Sequence, residues 1–141
     1  MDTRESASTR SEGVSSETSV AVPVLAAVSA ESERLLNPQA SASDDLEVMT
    51  VLVAEYRRLL GGNPVGDNDE ITAALAGNNR SHIALLTTQV FARVAPQGQW
   101  LDRWGMPYFF HARSGTSMGI ISSGPDGILH TADDLHGGDP E

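Results

Sequence analysis

Apolar residues recur at intervals of three and four between Asp44 and Gly62, which is the spacing of one face of an α-helix. The apolar positions are Met49, Leu52, Val53, Tyr56, Leu59 and Leu60. Asp44 and Glu47 have the spacing of a capping box, and arginines occupy the last turn, where they favour the helix macrodipole. We therefore predict an amphipathic helix that stops at Gly61-Gly62 and needs a partner surface downstream.

A second, shorter helix is predicted over residues 67–77, after a turn rich in glycine, proline and asparagine. Asp67 can cap this helix with Glu70 three residues later, and Gly77 can close it in a left-handed conformation. Asp67, Asp69 and Glu70 resemble a metal cluster in composition. A capped helix start explains these acids without a metal, and we adopt that interpretation.

Residues 81–100 carry no clear period. The apolar positions between Ile83 and Val94 fit either a strand followed by a loop or a third helix. Pro96 and Gly98 then interrupt the chain. We expect irregular, partly buried chain with little regular structure in this stretch.

The pattern becomes that of β-structure after Gly105. Residues 107–112 are rich in aromatic side chains, 113–116 form a turn by composition, and 117–122 return as a second strand. Two such strands make an antiparallel hairpin. A hairpin is stable only when another element packs on one of its faces. The predicted fold is α+β: one main amphipathic helix packed on a small antiparallel sheet, with a short second helix and a C-terminal acidic loop.

Composition divides the chain into three parts. Residues 1–43 are acidic, rich in serine and free of aromatic residues, which is typical of disorder. An apolar run from Val20 to Ala30 within them has the length of a signal-peptide core, but the residues before it hold four acids and only two arginines. A signal peptide and a degenerate export segment are therefore the alternatives to a disordered tail. We expect the folded domain to span 44–136 and a frayed acidic end to span 137–141.

The net charge of −10 argues against nucleic acid and anionic lipid as partners, because both are bound through lysine and arginine. The chain has no cysteine, which excludes disulfides, thiol catalysis and thiolate metal sites. Apolar runs all fall short of the ~20 residues that span a bilayer. Acidic composition favours cations or basic proteins instead.

The segment from Asp102 to Tyr108 has the composition of a rigid turn. Asp102 can accept backbone N–H groups, Gly105 permits a positive φ, and Pro107 fixes φ at the entry to the strand. Trp104 and Tyr108 are expected to supply a large buried surface. We interpret the segment as structural.

Asp126, Asp133 and Asp134 lie within nine residues in a glycine-containing loop. Carboxylates brought together repel one another unless a cation intervenes, and calcium accepts ~6 to 8 oxygen ligands in irregular geometry. The spacing is not that of an EF-hand. From spacing alone, a solvated acidic loop and a calcium site both remain open.

Histidines offer a further alternative, a His/Asp metal or hydrolytic site built from His111 or His130 with Ser122 or Ser123. Neither Ser122 nor Ser123 has the glycines two residues before and two residues after it that mark a nucleophile elbow. Ordinary strand and loop histidines are the better interpretation.

Asp102-x-Trp104-Gly105-x-Pro107-Tyr108, the hairpin, and then Ser122-Ser123-Gly124-Pro125-Asp126-Gly127 with Asp133 and Asp134 together resemble a known family. They are similar to the C-terminal domain of the major pseudopilin of type II secretion systems and its type IV pilin-like relatives. The likeness covers about residues 46–135.

The resemblance implies a helix on a small sheet, no catalysis, and a calcium ion held by Asp126, Asp133 and Asp134, with Ser123 as a carbonyl donor. It also implies partners among the proteins of a secretion or pilus-like assembly, in the bacterial periplasm or cell envelope, or in the cytoplasm if no export signal exists. The family's prepilin signature and the membrane-spanning half of its helix do not occur in this sequence, so we expect a relative that does not polymerise as a pseudopilin does. The alternative function is a soluble acidic interaction module that needs no metal.

Overall fold

A long helix lying on a three-stranded antiparallel sheet defines the fold of the computed structural model, which describes Val28 and residues 30–139. The predicted α+β class is confirmed, whereas the predictions for residues 1–27 lie outside the described residues. The elements are α1 (Ala42–Leu60), α2 (Asn68–Leu75), α3 (Thr88–Val94), β1 (Phe109–Ser114), β2 (Ser117–Ser122) and β3 (Leu135–Gly138). Short 3₁₀ helices occur at Glu33–Leu36 and Gly124–Asp126.

The ends of α1 are set by local hydrogen bonds. Ser41 caps the helix: its Oγ accepts the N–H of Asp44 at 3.1 Å, and its own N–H donates to the Asp44 carboxylate at 2.9 Å. The capping box is therefore Ser41–Asp44, and the predicted Asp44–Glu47 box is wrong, because the helix begins one turn earlier. The helix stops at Gly61, as predicted, and Gly61 has the left-handed conformation, at φ 92°. The described residues contain no helix long and apolar enough to cross a membrane.

The apolar stripe of α1 is buried, as predicted, and the helix packs on the sheet. The strand order is β1-β2-β3, with Phe110 opposite Ile120 and Ile120 opposite Gly137. A Cβ atom at Gly137 would lie 2.9 Å from the Cβ of Leu46. Glycine at this position therefore allows β3 and α1 to approach closely.

Residues 137–139 are ordered, so the prediction of a frayed end beginning at residue 137 is wrong for them. Gly137 and Gly138 pair with β2, and the Asp139 carboxylate accepts two hydrogen bonds from the Arg57 guanidinium, at 2.8 and 2.9 Å. The N–H of Met118 donates to the same carboxylate at 2.9 Å. Backbone pairing and a distant arginine stabilise this strand, and neither leaves a hydrophobic pattern in the sequence.

The described residues before α1 are also ordered, which corrects the prediction of a disordered tail up to residue 43. Residues 30–32 are helical and continue into the 3₁₀ helix Glu33–Leu36, which contacts α1 and α3. Val28 and Leu35 are buried in the main core. The average hydrophobicity of residues 1–43 is low, so the sequence did not indicate that these two apolar residues are buried.

Residues 81–100 contain the helix α3, so the expectation of little regular structure is wrong for 88–94. The Thr87 hydroxyl caps α3 by accepting the N–H of Val90 at 3.1 Å. Val90 and Val94 share the inner face and are buried. Of the two alternatives left open by the sequence, the third helix is the one that forms.

Candidate functional site

A buried carboxylate organises the turn that precedes β1. Asp102 Oδ1 accepts the N–H groups of Trp104 at 3.0 Å and Met106 at 2.8 Å, while the backbone N–H of Asp102 donates to the Met106 carbonyl at 2.7 Å. Gly105 adopts φ 87° between them. Asp102 therefore fixes the turn, as the sequence predicted for this residue.

The same carboxylate ties this turn to the start of the acidic loop. Asp102 Oδ2 accepts the Ser122 hydroxyl at 2.8 Å, and Ser122 Oγ accepts the N–H of Gly124 at 3.2 Å. Asp102 is only 6% exposed and Ser122 is fully buried. With three donors directed at it, the Asp102 carboxylate holds the turn and the start of the loop together.

The aromatic core beside this turn is built from Trp100 and Tyr108. Trp100 is 1% exposed and meets Tyr108 edge to face at a centroid distance of 6.4 Å. Burial raises the pKa of the Tyr108 phenol, so the ring is neutral at ordinary pH. Trp104, expected to be buried, is 44% exposed, because its position at the tip of the turn directs it away from the core.

The acidic loop brings two of its three predicted aspartates together around Thr131. Thr131 Oγ1 lies 2.7 Å from Asp126 Oδ2, 3.5 Å from Asp134 Oδ1 and 3.1 Å from the carbonyl oxygen of Ile128. One hydroxyl hydrogen can satisfy only one of these three acceptors at a time. We call Asp126, Ile128, Thr131 and Asp134 the oxygen cluster.

Asp133 and Ser123 lie beside the oxygen cluster in different surroundings. The Asp133 side chain is exposed, and its carbonyl oxygen is so close to Gly124 that a Cβ there would lie 2.2 Å away. Ser123 is 3% exposed, at the beginning of the loop. The structure thus joins the two ends of the loop at Gly124 and Asp133, but it does not bring the Asp133 carboxylate into a group of three acids with Asp126 and Asp134.

Hydrogen bonds from the loop favour the charged form of Asp126. The N–H of Ile128 and then the Thr131 hydroxyl hold the pKa of Asp126 below its ordinary value. The backbone N–H of His130 donates to Asp134 Oδ2 at 2.6 Å. Within the described residues no arginine or histidine lies within ion-pair distance of Asp126, Asp133 or Asp134. The oxygen cluster therefore presents negative charge that no basic side chain among residues 30–139 neutralises in an ion pair.

Asp67, Asp69 and Glu70 form a second acidic group, at the start of α2. One ligand oxygen from each lies within 4.8 Å of the others, so these exposed side chains could hold a metal ion. The predicted capping role is present as well, since the N–H of Asp67 donates to Glu70 Oε1 at 2.9 Å. The Glu70 carboxylate that caps the helix is therefore the same group that would bind a cation.

In the described part of the chain, no histidine side chain is hydrogen-bonded to Ser122 or Ser123. His111 is exposed on β1 and stacks on Phe109, with centroids 6.1 Å apart. Ser122 donates its hydroxyl to Asp102. Among the residues described, no histidine joins a group of ligand atoms that could hold a metal.

Sequence reasoning missed Thr131 and Asn68. Thr131 follows Asp126 by five residues and precedes Asp134 by three, a spacing with no familiar motif. Asn68 accepts the N–H of Trp100 at 2.7 Å and donates to the Tyr108 carbonyl at 2.7 Å, which fixes the turn against α2. No local signal marks that long-range contact.

Comparisons of the chain with protein-family models, with curated proteins and with solved structures gave no match.

Proposed function

We propose that this chain is a non-catalytic structural or assembly component of a type II secretion or pilus-like system, stabilised by calcium. The observation that carries the calcium hypothesis is the oxygen cluster. Two carboxylates and a carbonyl there face the single hydroxyl hydrogen of Thr131. Carboxylate, carbonyl and hydroxyl oxygens are hard ligands of the kind that calcium binds in proteins.

Asp126 and Asp134 would supply charge to the ion, and Ile128 and Thr131 would supply neutral oxygens. The pseudopilin resemblance adds Asp133 and Ser123 to this ligand set. A bound ion would fasten the loop between β2 and β3, which are adjacent strands of the sheet. Since the loop is already tied to the Asp102 turn through Ser122, the ion would stabilise one continuous unit from residue 101 to residue 135.

The assembly role is supported by the way the polar groups of this unit are used. Asp102 and Ser122 are buried and bonded to each other and to backbone N–H groups, which suits a scaffold. The helix-on-sheet architecture also agrees with the pseudopilin resemblance. On that resemblance, the partners are other proteins of the assembly and the location is the bacterial cell envelope.

Thermal unfolding with calcium, with magnesium and with a chelator tests the metal hypothesis. A ligand at 100 times its Kd stabilises the native state by about 2.7 kcal/mol, which raises the Tm of a domain of this size by roughly 10 °C. Calcium should produce this increase and magnesium much less, because magnesium demands a stricter geometry. An unchanged Tm in all three conditions would refute the calcium site.

Variants assign the calcium effect to one acidic group. Asp126→Asn or Asp134→Asn should abolish the increase in Tm, whereas Asp69→Asn, at the second acidic group, should preserve it. Asp133→Asn tests whether the additional ligand implied by the resemblance takes part. If Asp69→Asn alone abolishes the effect, the metal belongs to the start of α2.

A soluble interaction module without metal is the second candidate, and the hydrogen bonds of the loop favour it. The N–H groups of Ile128 and His130 already stabilise the two carboxylates. For such a module, calcium would not change the Tm of either the unchanged protein or the Asp126→Asn variant. The substitution would weaken only the binding of a basic partner.

A further inference from the structure

A groove with both apolar and polar walls lies between the start of α2, the entry to β1 and the acidic loop. Its volume is about 560 Å³, and its walls include Asp67, Asn68, Met106, Phe109 and Ile128. Asn68 bonds to the backbone of Trp100 and Tyr108 at 2.7 Å each, so α2 and the strand that form two of the walls are held together. The groove is thus built on fixed elements.

The groove concentrates the exposed apolar surface of the chain. Six large hydrophobic side chains are exposed in the described part of the chain, and Met106, Phe109 and Ile128 are three of them. Ile128 is 61% exposed although it lies in a loop otherwise rich in acids. Contiguous exposed apolar surface with a polar rim is typical of a protein-binding site.

The rim of the groove carries negative charge. Asp67 lines one wall, with the carboxylates of Asp69 and Glu70 within 4.8 Å, and Asp126 adjoins the opposite wall at Gly127. In the described chain, none of these four acids is in an ion pair. Elsewhere, by contrast, Arg34, Arg57, Arg58 and Arg103 each pair with an acid.

We infer that this groove docks a basic amphipathic segment of another protein, with an apolar side chain between Phe109 and Ile128 and lysine or arginine on the acidic rim. Charge complementarity selects this occupant, since opposite potentials across an interface favour association and like charges oppose it. The inference rests on the proposed function only in that the chain acts by contacting other proteins. Calcium in the oxygen cluster would neutralise one wall and leave the acids of α2 as the main contact.

Fluorescence anisotropy with labelled peptides tests the groove, in chelator so that the result is independent of calcium. The probe is a short peptide of lysine and leucine at helical spacing, compared with one peptide in which glutamate replaces lysine and another in which serine replaces leucine. The lysine–leucine peptide should bind the full chain at least about tenfold more tightly than either control. Its affinity should fall as salt is added.

Protein variants then locate the binding. Ile128→Ser and Phe109→Ser should each weaken it about tenfold, as truncation of an anchor residue does, and Asp69→Asn with Glu70→Gln should weaken it by a smaller factor of about three. Val51→Ser and Glu33→Gln are matched controls, since both residues are exposed and lie outside the groove. These controls should bind like the unchanged protein.

Three results would overturn the inference. The first is no binding of the lysine–leucine peptide by the full chain, and the second is equal binding of all three peptides. The third is self-association of the chain that Ile128→Ser abolishes, because the groove would then belong to a second copy. If calcium still raises the Tm in any of these cases, the groove inference fails but the calcium proposal is retained.

Discussion

The turn around Asp102 and the loop around Thr131 are bonded through Ser122, yet their polar groups are in opposite conditions. Asp102 is buried and receives hydrogen bonds from two backbone N–H groups and one hydroxyl. In the loop, by contrast, Asp126, Asp134 and the carbonyl of Ile128 surround the single hydroxyl hydrogen of Thr131. The carboxylate of the turn has a full set of donors, whereas acceptors outnumber donors in the oxygen cluster.

This difference separates a structural aspartate from a candidate ligand. A buried carboxylate is stable only when donors replace the water it has lost, and the turn provides them. An exposed carboxylate short of donors can still take a cation or a basic side chain. Asp102, Asp126 and Asp134 are all aspartates in glycine-containing turns. The balance of hydrogen-bond donors and acceptors around each one distinguishes the structural role from that of a candidate ligand.

Asp102→Ala should have the largest effect on this comparison. The change leaves the N–H groups of Trp104 and Met106 and the Ser122 hydroxyl without their acceptor in a buried site, so we expect a loss of about 3–5 kcal/mol in the free energy of unfolding. Urea denaturation measures it. Asp133→Ala, at an exposed carboxylate, is the control and should change stability by less than about 0.5 kcal/mol. Similar losses for the two variants would remove the distinction.

Gly124→Ala tests the contact that closes the loop. Gly124 has φ 73°, and the added Cβ would lie 2.2 Å from the Asp133 carbonyl oxygen, so we expect a loss of about 3 kcal/mol from strain and overlap. Gly98→Ala separates these two causes, because Gly98 has φ 96° with nothing within 4 Å of the added Cβ. Gly98→Ala should lower the free energy of unfolding by only about 1 kcal/mol. Equal losses would show that the Gly124–Asp133 contact adds nothing.

Asp139→Asn examines an intermediate case, an aspartate whose donors include an arginine. Burial acts to raise the pKa of Asp139, but the bonds from Arg57 and the Met118 N–H outweigh it and hold the pKa below its ordinary value. Removing the charge should lower the free energy of unfolding by about 1–2 kcal/mol at neutral pH.

The pH dependence supplies a second measurement for Asp139. Since the pKa is lower in the folded than in the unfolded state, the carboxylate adds stability above about pH 4 and loses it as pH falls through the folded value. The stability curves of the two proteins should therefore converge in acid. A constant gap at every pH would contradict this role for Asp139.

Local signals predicted much of the fold. The three- and four-residue period over Met49–Leu60 predicted α1, and the aromatic strand with the glycine-containing turn predicted the β1–β2 hairpin. Both elements depend on residues close together in sequence. The Asp102 turn was predictable for the same reason, because its donors come from residues two and four positions later.

The remaining features depend on contacts between distant residues. β3 is held by pairing with β2 and by Arg57, which is 82 positions from Asp139. Leu35 lies in the 3₁₀ helix that contacts α1 and α3, so it becomes a core residue only once these helices are in place. In the acidic loop the sequence indicated which acids were available, but the backbone turns at Gly124 and Gly127 decide that Asp126 and Asp134 converge and Asp133 points to solvent.

Calorimetric titration with calcium tests the central claim, that the oxygen cluster is a cation site, most directly. We expect one calcium ion to bind per chain, with at least about tenfold weaker binding after Asp126→Asn combined with Asp134→Asn. Asp69→Asn should leave the titration unchanged. Binding that is absent from the unchanged protein, or equally strong in the double variant, would contradict the account.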